Sequence, residues 1–424
     1  NEDKKSIQKR FIEHREGENP RRDEKKQKIK NFIEDKVVKT NFYKNLIKIF
    51  PKNYDSVTYY LNQPRRMKIF TYNGVRDTLL STIDSIKYYN SLLHAGFITY
   101  EPESGKILTY VGGVNFDFFK FDHVSQMKRQ PGSTFKAFVY TAAFENGWGP
   151  CDKMFDIPVT YKYVENNIQK TWSPQNADWV FTGNNVTLKH AFAKSINSIA
   201  VQLTKQLGWE KVIYYAHKLG ISTKLANVPS VCLGSSDVSL FELVNAYCPF
   251  LNEGYKIEPL MVLKITDNKG KQIYSSEIKK ERAISEETAF LMNQMLQGGL
   301  HEPGGTTQAL FEHDLFRYNT DFGGKTGTSS NHSDGWFIGV SPSLISGVWV
   351  GADNRSVHFR TSELGEGCKT ALPIYGIFME KLLKDKRFDY IKKKFPKPKI
   401  KISKNYSCHT YYTKSDTTNI ETDE

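Results

Sequence analysis

The sequence predicts an α+β fold in which an antiparallel sheet, flanked by helices, is assembled from two distant parts of the chain. One part is a hairpin at residues 97–111, where two runs rich in β-branched and aromatic residues flank the turn Pro102-Glu103-Ser104-Gly105. The other part is a meander of three further β-rich runs that needs the hairpin to complete a common sheet. These runs are residues 322–328, 336–340 and 346–352.

Most of the predicted helices lie between these two parts and form a helical subdomain. Apolar residues recur there every three or four positions, as at Leu188, Phe192 and Ile196, and Gly208 supplies a stop signal. A further helix at residues 372–383 is expected to close the main domain. The three inserted segments with helical spacing are residues 187–220, 240–251 and 284–299.

Length and composition indicate a folded chain with a strong positive charge. Of the 424 residues, 39% are hydrophobic and 13% aromatic, which is enough to bury a core, and the net charge is +13. The excess charge lies mainly at the two ends, and no base-stacking module or basic helix with interleaved aromatics occurs. The charge therefore argues against nucleic acid as a partner and fits an anionic envelope or membrane surface.

The five cysteines are widely spaced and predict isolated thiols, with a disulfide left open as the alternative. There is no Cys-x-x-Cys pair and no neighbouring histidine at metal-ligand spacing, so we expect no metal site and no cofactor. The cysteines are Cys151, Cys232, Cys248, Cys368 and Cys408.

Charge and hydropathy divide the chain into three regions. Residues 1–64 are crowded with charge and predict the remnant of a linker, residues 65–383 form the main domain, and residues 384–424 are a basic tail with little expected order. No run approaches the ~18 apolar residues of a membrane helix, and the chain begins with Asn1 rather than Met. We therefore expect any membrane anchor to come from a preceding segment.

The segment around Ser133 is the candidate nucleophile site. Pro131 cannot sit inside a helix and Gly132 permits a sharp bend, so Ser133 is expected at or just inside a helix N-terminus. Lys136 follows one helical turn later, close enough for its amine to take the hydroxyl proton. The spacing Ser-x-x-Lys alone is weak, because it also occurs at residues 6–9, 125–128 and 276–279.

A second candidate segment is Ser195-Ile196-Asn197. On a regular helix, residues two apart point roughly 200° away from each other, so Ser195 and Asn197 can reach one pocket only if the helix breaks. We predict a turn between Ala193 and Asn197. The alternative is that Ser195 or Asn197 merely caps the next helix.

The third segment, Lys325-Thr326-Gly327-Thr328, lies in a strand pattern. Gly327 leaves room for another backbone to approach, and an edge strand here could receive a peptide substrate by strand addition. A lysine with two threonine hydroxyls is also suited to hold a terminal carboxylate. Phosphate binding is the alternative, but a P-loop needs an earlier glycine and a following helix.

Together and in this order, the three segments form the set found in penicillin-binding proteins and class A β-lactamases. The chain resembles the transpeptidase part of a class A, bifunctional penicillin-binding protein of Bacteroidetes type, over about residues 65–383. The resemblance implies the transpeptidase fold shared with serine β-lactamases. Further matching segments are Trp172-Ser173-Pro174-Gln175-Asn176, Leu233-Gly234-Ser235, Asn252-Glu253-Gly254-Tyr255 and Asp334-Gly335-Trp336-Phe337.

The resemblance implies a role for each candidate residue. Ser133 would attack the D-Ala-D-Ala carbonyl of a peptidoglycan stem peptide, with Lys136 as general base. Ser195 would relay the proton to the leaving amine, and Lys325 would hold that hydroxyl. The substrate would be held by Asn197, Thr326, Gly327 and Thr328, with the backbone N–H groups of Ser133 and Thr328 as the oxyanion hole.

The implied setting is the periplasmic face of the cell membrane, with stem peptides, lipid II-derived glycan strands and β-lactams as partners. The family usually carries a membrane helix and a glycosyltransferase domain upstream, neither of which this sequence contains, so it is expected to be a fragment. The rival hypotheses are a D,D-carboxypeptidase or serine β-lactamase, and a non-catalytic peptidoglycan-binding domain.

Overall fold

A five-stranded antiparallel sheet is the centre of the computed structural model, which describes residues 33–165 and 167–408 and the backbone of 412–413. The strand order is β13-β14-β15-β3-β4, so β13 and β4 are the edges. The predicted hairpin and meander are thus confirmed as parts of one sheet, and β13 is an edge strand as expected. The strands are β3 (His94–Tyr100), β4 (Ile107–Val111), β13 (Gly323–Thr328), β14 (Asp334–Val340) and β15 (Ile345–Gly351).

Strands β14 and β15 are buried along their whole length, because hydrophobic clusters cover both faces of the sheet. Trp336 and Trp349 are paired across these two strands and are almost completely buried. The larger cluster joins the sheet to the inserted helices, and the smaller one joins it to the closing helix. The sheet is therefore the rigid partition on which the rest of the domain is built.

The helical insertion lies between β4 and β13, as predicted. The first inserted helix is nearly all buried, with Phe138, Tyr140 and Phe144 in contact with neighbouring aromatic rings. Its helices are α4 (Lys136–Glu145), α5 (Leu188–Ala193), α6 (Asn197–Leu207), α7 (Trp209–Leu219), α8 (Leu240–Tyr247) and α9 (Glu286–His301). After β15 come α10 (Ser362–Gly365), α11 (Gly367–Thr370) and the closing helix α12 (Leu372–Lys384).

The region before the main sheet has a small core of its own. Val37, Leu46, Val57 and Leu61 form a separate buried cluster. An antiparallel hairpin of two strands follows this cluster in sequence. The elements of the region before the main sheet are α1 (Asn41–Ile49), α2 (Tyr54–Asn62), β1 (Arg65–Thr71), β2 (Gly74–Leu80) and α3 (Thr82–Asn90). The predicted linker remnant also includes residues 1–32, which lie outside the described residues.

The remaining strands form small sheets on the insertion. The pairings are β6 with β7, β9 with β12, β10 with β11, and β8 with both β5 and β16. No helix in the described part of the chain is long and apolar enough to cross a bilayer. The strands are β5 (Lys153–Phe155), β6 (Tyr161–Glu165), β7 (Ile168–Trp172), β8 (Asn185–Thr187), β9 (Tyr255–Ile257), β10 (Lys264–Thr266), β11 (Gln272–Ser275), β12 (Lys280–Arg282) and β16 (Tyr412–Thr413).

Two expectations about the C-terminal region are wrong. Cys151 and Cys408 form a disulfide, so these two are not isolated thiols. The described part of the basic tail, residues 384–408, is also packed, because Phe395, Ile402 and Tyr406 contact the main hydrophobic cluster. Apolar side chains among the lysines, together with the disulfide, therefore bind the tail to the insertion.

Candidate functional site

Ser133 lies in a short 3₁₀ turn, Gly132–Phe135, that leads into α4. This confirms its predicted position at the start of a helix. The Ser133 side chain is half-buried, and Lys136, the first residue of α4, is completely buried. Among the described residues, no side chain or backbone group forms a hydrogen bond with the Ser133 hydroxyl, so the expected bond to Lys136 is not present.

The amine of Lys136 instead contacts the second candidate segment. Its Nζ donates to the backbone oxygen of Ser195 at 2.5 Å and to Asn197 Oδ1 at 2.6 Å, and it lies 3.2 Å from Ser195 Oγ. The predicted break between Ala193 and Asn197 is present. Ser195 adopts a left-handed backbone conformation with φ of 61°, which turns both its hydroxyl and Asn197 towards Lys136.

Lys325 reaches the same hydroxyl from the sheet edge. Its Nζ donates to Ser195 Oγ at 2.9 Å and to the Thr326 carbonyl at 3.1 Å. The Ser195 hydroxyl therefore lies between two buried amines, one from the helical side and one from the sheet. Two lysines that lie 59 residues before Ser195 and 130 residues after it in sequence thus converge on its side chain.

Burial sets the proton affinity of both amines. Desolvation lowers the pKa of Lys136 well below its ordinary value, and the nearby charge of Lys325 lowers it further. Desolvation likewise lowers the pKa of Lys325 to about 7. Each lysine can therefore lose its proton at a pH at which a free lysine would remain charged.

The nucleophile turn and β13 approach each other closely enough to require glycine. A Cβ atom at Gly132, where φ is 55°, would lie 2.3 Å from the Thr328 carbonyl oxygen. A Cβ atom at Gly327 would lie 2.4 Å from the Pro131 carbonyl oxygen. The approaching backbone that Gly327 was expected to accommodate is thus the nucleophile turn itself.

The two threonine hydroxyls of β13 have different hydrogen-bond partners. Thr326 Oγ1 donates to Thr306 Oγ1 at 2.8 Å, and Thr306 in turn approaches the Ala193 carbonyl at 3.4 Å. Thr328 Oγ1 accepts from the Gly367 N–H at 3.1 Å. The Thr328 hydroxyl therefore keeps its proton for another acceptor, whereas that of Thr326 is already donated.

A buried ion pair fixes the entry to the nucleophile turn and was not identified from the sequence as a functional feature. Arg129 Nε lies 2.6 Å from Asp334 Oδ1, with side-chain exposures of 8% and 1%. Arg129 also donates to the carbonyl oxygens of Ala352 and Asp353. Asp334 stands in a segment that carried the family resemblance and Arg129 lies shortly before Ser133, but nothing in a single sequence pairs residues 205 positions apart.

One histidine pair outside the site could suggest a metal. Ligand atoms of His94, His123 and Asp353 lie within 4.8 Å of one another. However, the two rings stack nearly parallel, 14° apart, and His123 already contacts the Gly112 carbonyl and Asp353 Oδ1 through its two nitrogens. We therefore interpret the group as a hydrogen-bonded cluster of the core.

Comparison with family models gives two matches. Residues 95–354 match the penicillin-binding protein transpeptidase domain, and residues 16–93 match the penicillin-binding protein middle domain. The first match contains all eight candidate residues. The two families together cover most of the chain.

Individual relatives agree with these matches. Penicillin-binding protein 2D of Bacillus subtilis is 32% identical over 309 residues, which are 73% of this chain and 43% of the relative. Penicillin-binding protein 1A of Rickettsia prowazekii is 32% identical over 319 residues, which are 69% of this chain and 38% of the relative. The chain thus spans less than half the length of these curated relatives.

Solved structures show the same fold. Penicillin-binding protein 1A from Haemophilus influenzae superimposes with a TM-score of 0.64 at 25% identity, covering 78% of this chain and 52% of that one. PonA1 from Mycobacterium tuberculosis in complex with penicillin V gives 0.58 at 20% identity, covering 87% and 95%. At that identity the second likeness concerns the fold alone.

Proposed function

Because the chain belongs to the penicillin-binding protein transpeptidase family, we propose that it is a peptidoglycan D,D-transpeptidase acting through an acyl-enzyme on Ser133. The observation that carries this proposal is the placement of the Ser195 hydroxyl between the buried amines of Lys136 and Lys325. A hydroxyl in contact with two amines of lowered pKa is a route for proton transfer. A purely structural serine would not require two buried lysines.

In the proposed acylation step, Ser133 Oγ attacks the carbonyl of the penultimate D-Ala, and the neutral Lys136 amine takes its proton. The hydrogen bonds support this assignment. A neutral amine has two hydrogens, and the shortest contacts of Lys136, to Ser195 O and Asn197 Oδ1, use both. The lone pair then remains available for the Ser133 proton.

Collapse of the tetrahedral intermediate breaks the C–N bond to the terminal D-Ala, whose nitrogen needs a proton. Ser195 would donate its hydroxyl proton to that nitrogen and recover one from protonated Lys136, which lies 3.2 Å away. Lys325, at 2.9 Å, would hold the Ser195 oxygen in position and stabilise its transient negative charge. In net, one proton thus passes from Ser133 through Lys136 and Ser195 to the departing D-Ala.

The edge strand β13 and Asn197 would bind the peptide. Asn197 Nδ2 donates one hydrogen to the Gln175 carbonyl at 2.7 Å, which leaves its second for a substrate carbonyl. Thr328, with its free hydroxyl proton, is better placed than Thr326 to bind the terminal carboxylate. The backbone N–H groups of Ser133 and Thr328 would form the oxyanion hole, with Gly327 keeping the strand close to the turn.

In the second half-reaction an amine of a neighbouring stem peptide attacks the acyl-enzyme ester, forming the cross-link and releasing Ser133. A D,D-carboxypeptidase or serine β-lactamase would use water instead. The match of residues 95–354 to the penicillin-binding protein transpeptidase domain favours the transpeptidase. A non-catalytic binding domain is disfavoured because all five of Ser133, Lys136, Ser195, Asn197 and Lys325 are present.

The wider setting is part of the proposal. We infer a Bacteroidetes-like enzyme on the periplasmic face of the cell membrane, anchored by a segment that precedes this sequence. Its partners would be stem peptides on lipid II-derived glycan strands, and β-lactams as inhibitors. The longer protein would also carry a glycosyltransferase. The main domain of this chain, residues 65–383, would act as the transpeptidase, between the linker remnant and the tail.

A transfer assay tests the proposed reaction. Nascent peptidoglycan carrying pentapeptide stems is incubated with the protein, and the digested products are separated by mass spectrometry. We expect cross-linked dimers and released D-Ala, both lost in Ser133→Ala and Lys136→Ala. Release of D-Ala without dimers would favour a carboxypeptidase, and neither product would favour a binding domain.

A further inference from the structure

The helix that begins at Asn197 lacks an N-cap of its own. Residue Ile196 occupies the N-cap position of α6 and has no side chain that can accept a hydrogen bond. The first N–H groups of the helix would therefore have no partner. This matters because the same turn carries Ser195 in a left-handed conformation, which costs free energy unless neighbouring groups hold it.

A distant asparagine supplies the missing acceptor. Asn176 Oδ1 accepts from the N–H groups of both Asn197 and Ser198, each at 3.0 Å. Asn176 stands 21 residues earlier in the chain and is 6% exposed. It acts as an N-cap contributed by another segment. Its neighbour Gln175 accepts from Asn197 Nδ2 through its backbone oxygen, so these two residues hold both the backbone and the side chain of Asn197.

A buried carboxylate fixes the orientation of the Asn176 amide. Asn176 Nδ2 donates to Asp156 Oδ1 and to the Val180 carbonyl, both at 2.8 Å. Since both partners only accept, the amide oxygen must face the helix. Asp156 is 1% exposed and also accepts from Ser198 Oγ at 2.6 Å and from Thr182. Burial would raise the pKa of Asp156, but these hydrogen bonds outweigh burial and lower it.

We propose that Asn176, oriented by Asp156, is a positioning residue for acylation. It fixes the start of α6, so that Asn197 Oδ1 and the Ser195 carbonyl remain the acceptors of the Lys136 amine. This inference rests on the proposed function for its effect on rate. Its structural part, that Asn176 caps α6, stands independently. Asn176 itself touches neither the substrate nor the reacting atoms.

The test compares three variants by stopped-flow acylation with a fluorescent penicillin between pH 5.5 and 9. Asn176→Ala removes the cap and should lower the acylation rate constant about tenfold or more at every pH, given the usual strength of a cap. Asn176→Asp keeps the shape but places a second carboxyl 2.8 Å from Asp156. Two carboxylates this close repel each other, so the introduced carboxyl can donate to Asp156 only while the pair holds a shared proton, which it loses as pH rises.

The ratio of the Asn176→Asp rate to the wild-type rate should therefore be near one at low pH and fall as pH rises. Asn252→Asp is the matched control, because Asn252 is 9% exposed and likewise donates to a backbone carbonyl. The ratio of the Asn252→Asp rate to the wild-type rate should not depend on pH. A wild-type rate for Asn176→Ala, or the same flat ratio for both aspartate variants, would overturn the proposal.

Amide hydrogen exchange of the peptide containing residues 197–199 separates this proposal from the proposed function. Asn176→Ala should accelerate exchange there, while Asn252→Asp should leave it unchanged. If the wild type takes no penicillin at Ser133, the proposed function fails, yet faster exchange would still support the cap. Unchanged exchange in Asn176→Ala would contradict the cap even if the wild type is acylated normally.

Discussion

The ion pair of Arg129 and Asp334 gives a prediction that compares a buried ion pair with an exposed one. Asp334 Oδ1 lies 2.6 Å from Arg129 Nε, and the Asp334 side chain is 1% exposed. The surface pair of Arg355 and Asp237 has the same separation of 2.6 Å, but its side chains are 43% and 42% exposed. Removing one partner of a buried pair leaves an uncompensated charge in a low dielectric, whereas water compensates an exposed charge.

The predicted losses in the free energy of unfolding differ severalfold between the two pairs. Asp334→Ala should lower the free energy of unfolding by about 3–5 kcal/mol, because Asp334 also accepts from Trp349 Nε1 and the hydroxyls of Ser329 and Ser333. Asp237→Ala should cost about 1 kcal/mol or less. Asp334→Asn, which keeps the shape but loses the charge, should fall between them.

Equilibrium unfolding in urea measures these losses of unfolding free energy. The rate of penicillin acylation under native conditions reports whether the site still works. Because Arg129 leads directly into the nucleophile turn, Asp334→Ala should also slow acylation, while Asp237→Ala should not. If Asp334→Ala costs no more than Asp237→Ala, the reasoning from burial is refuted. If it unfolds the protein altogether, Asp334→Asn still ranks the two sites.

Three further predictions concern the site and its frame. Acylation should reach its full rate well below the ordinary lysine pKa of 10.5 and fall as pH decreases, because the lowered pKa leaves Lys136 neutral where a free lysine is charged and protonation removes the base. A rate still rising tenfold per pH unit towards pH 10 would show that the pKa of Lys136 is not lowered. Gly327→Ala should slow acylation about tenfold or more, since its Cβ would lie 2.4 Å from the Pro131 oxygen. Gly298→Ala, whose Cβ would meet only the side chains of Lys189 at 3.4 Å and Glu302 at 3.7 Å among its nearest neighbours, is the control and should be acylated normally. Cys151→Ser should lower the free energy of unfolding, measured in urea, by about 2–5 kcal/mol. A reductant should reproduce this loss in the wild type but add nothing in the variant. A wild-type urea unfolding curve that the reductant leaves unaltered would argue against the disulfide.

The elements that the sequence predicted well are those with a strong local pattern. The sheet strands and the helix at residues 286–301 follow from alternation and helical spacing. The break at Ser195 followed from geometry, since Ser195 and Asn197 cannot share a pocket on one regular helix. Its left-handed φ is the physical form of that break.

Contacts between distant segments could not be predicted in the same way. Spacing alone suggested that Lys136 would bond to Ser133, but two strong acceptors on another segment, Ser195 O and Asn197 Oδ1, take its hydrogens. Cys151 and Cys408 are 257 residues apart, with no local signal to pair them. The Asp156 carboxylate likewise has no motif around it, because its role depends on the fold that buries it.

The central claim, that Ser133 is the nucleophile of a transpeptidase, is tested most directly by intact mass after incubation with benzylpenicillin. We expect the wild type to gain the mass of one drug molecule and to keep it for hours, and Ser133→Ala to gain nothing. An equal adduct on Ser133→Ala would contradict the assignment of the nucleophile. Rapid hydrolysis of the drug without a lasting adduct would contradict the transpeptidase and favour a β-lactamase.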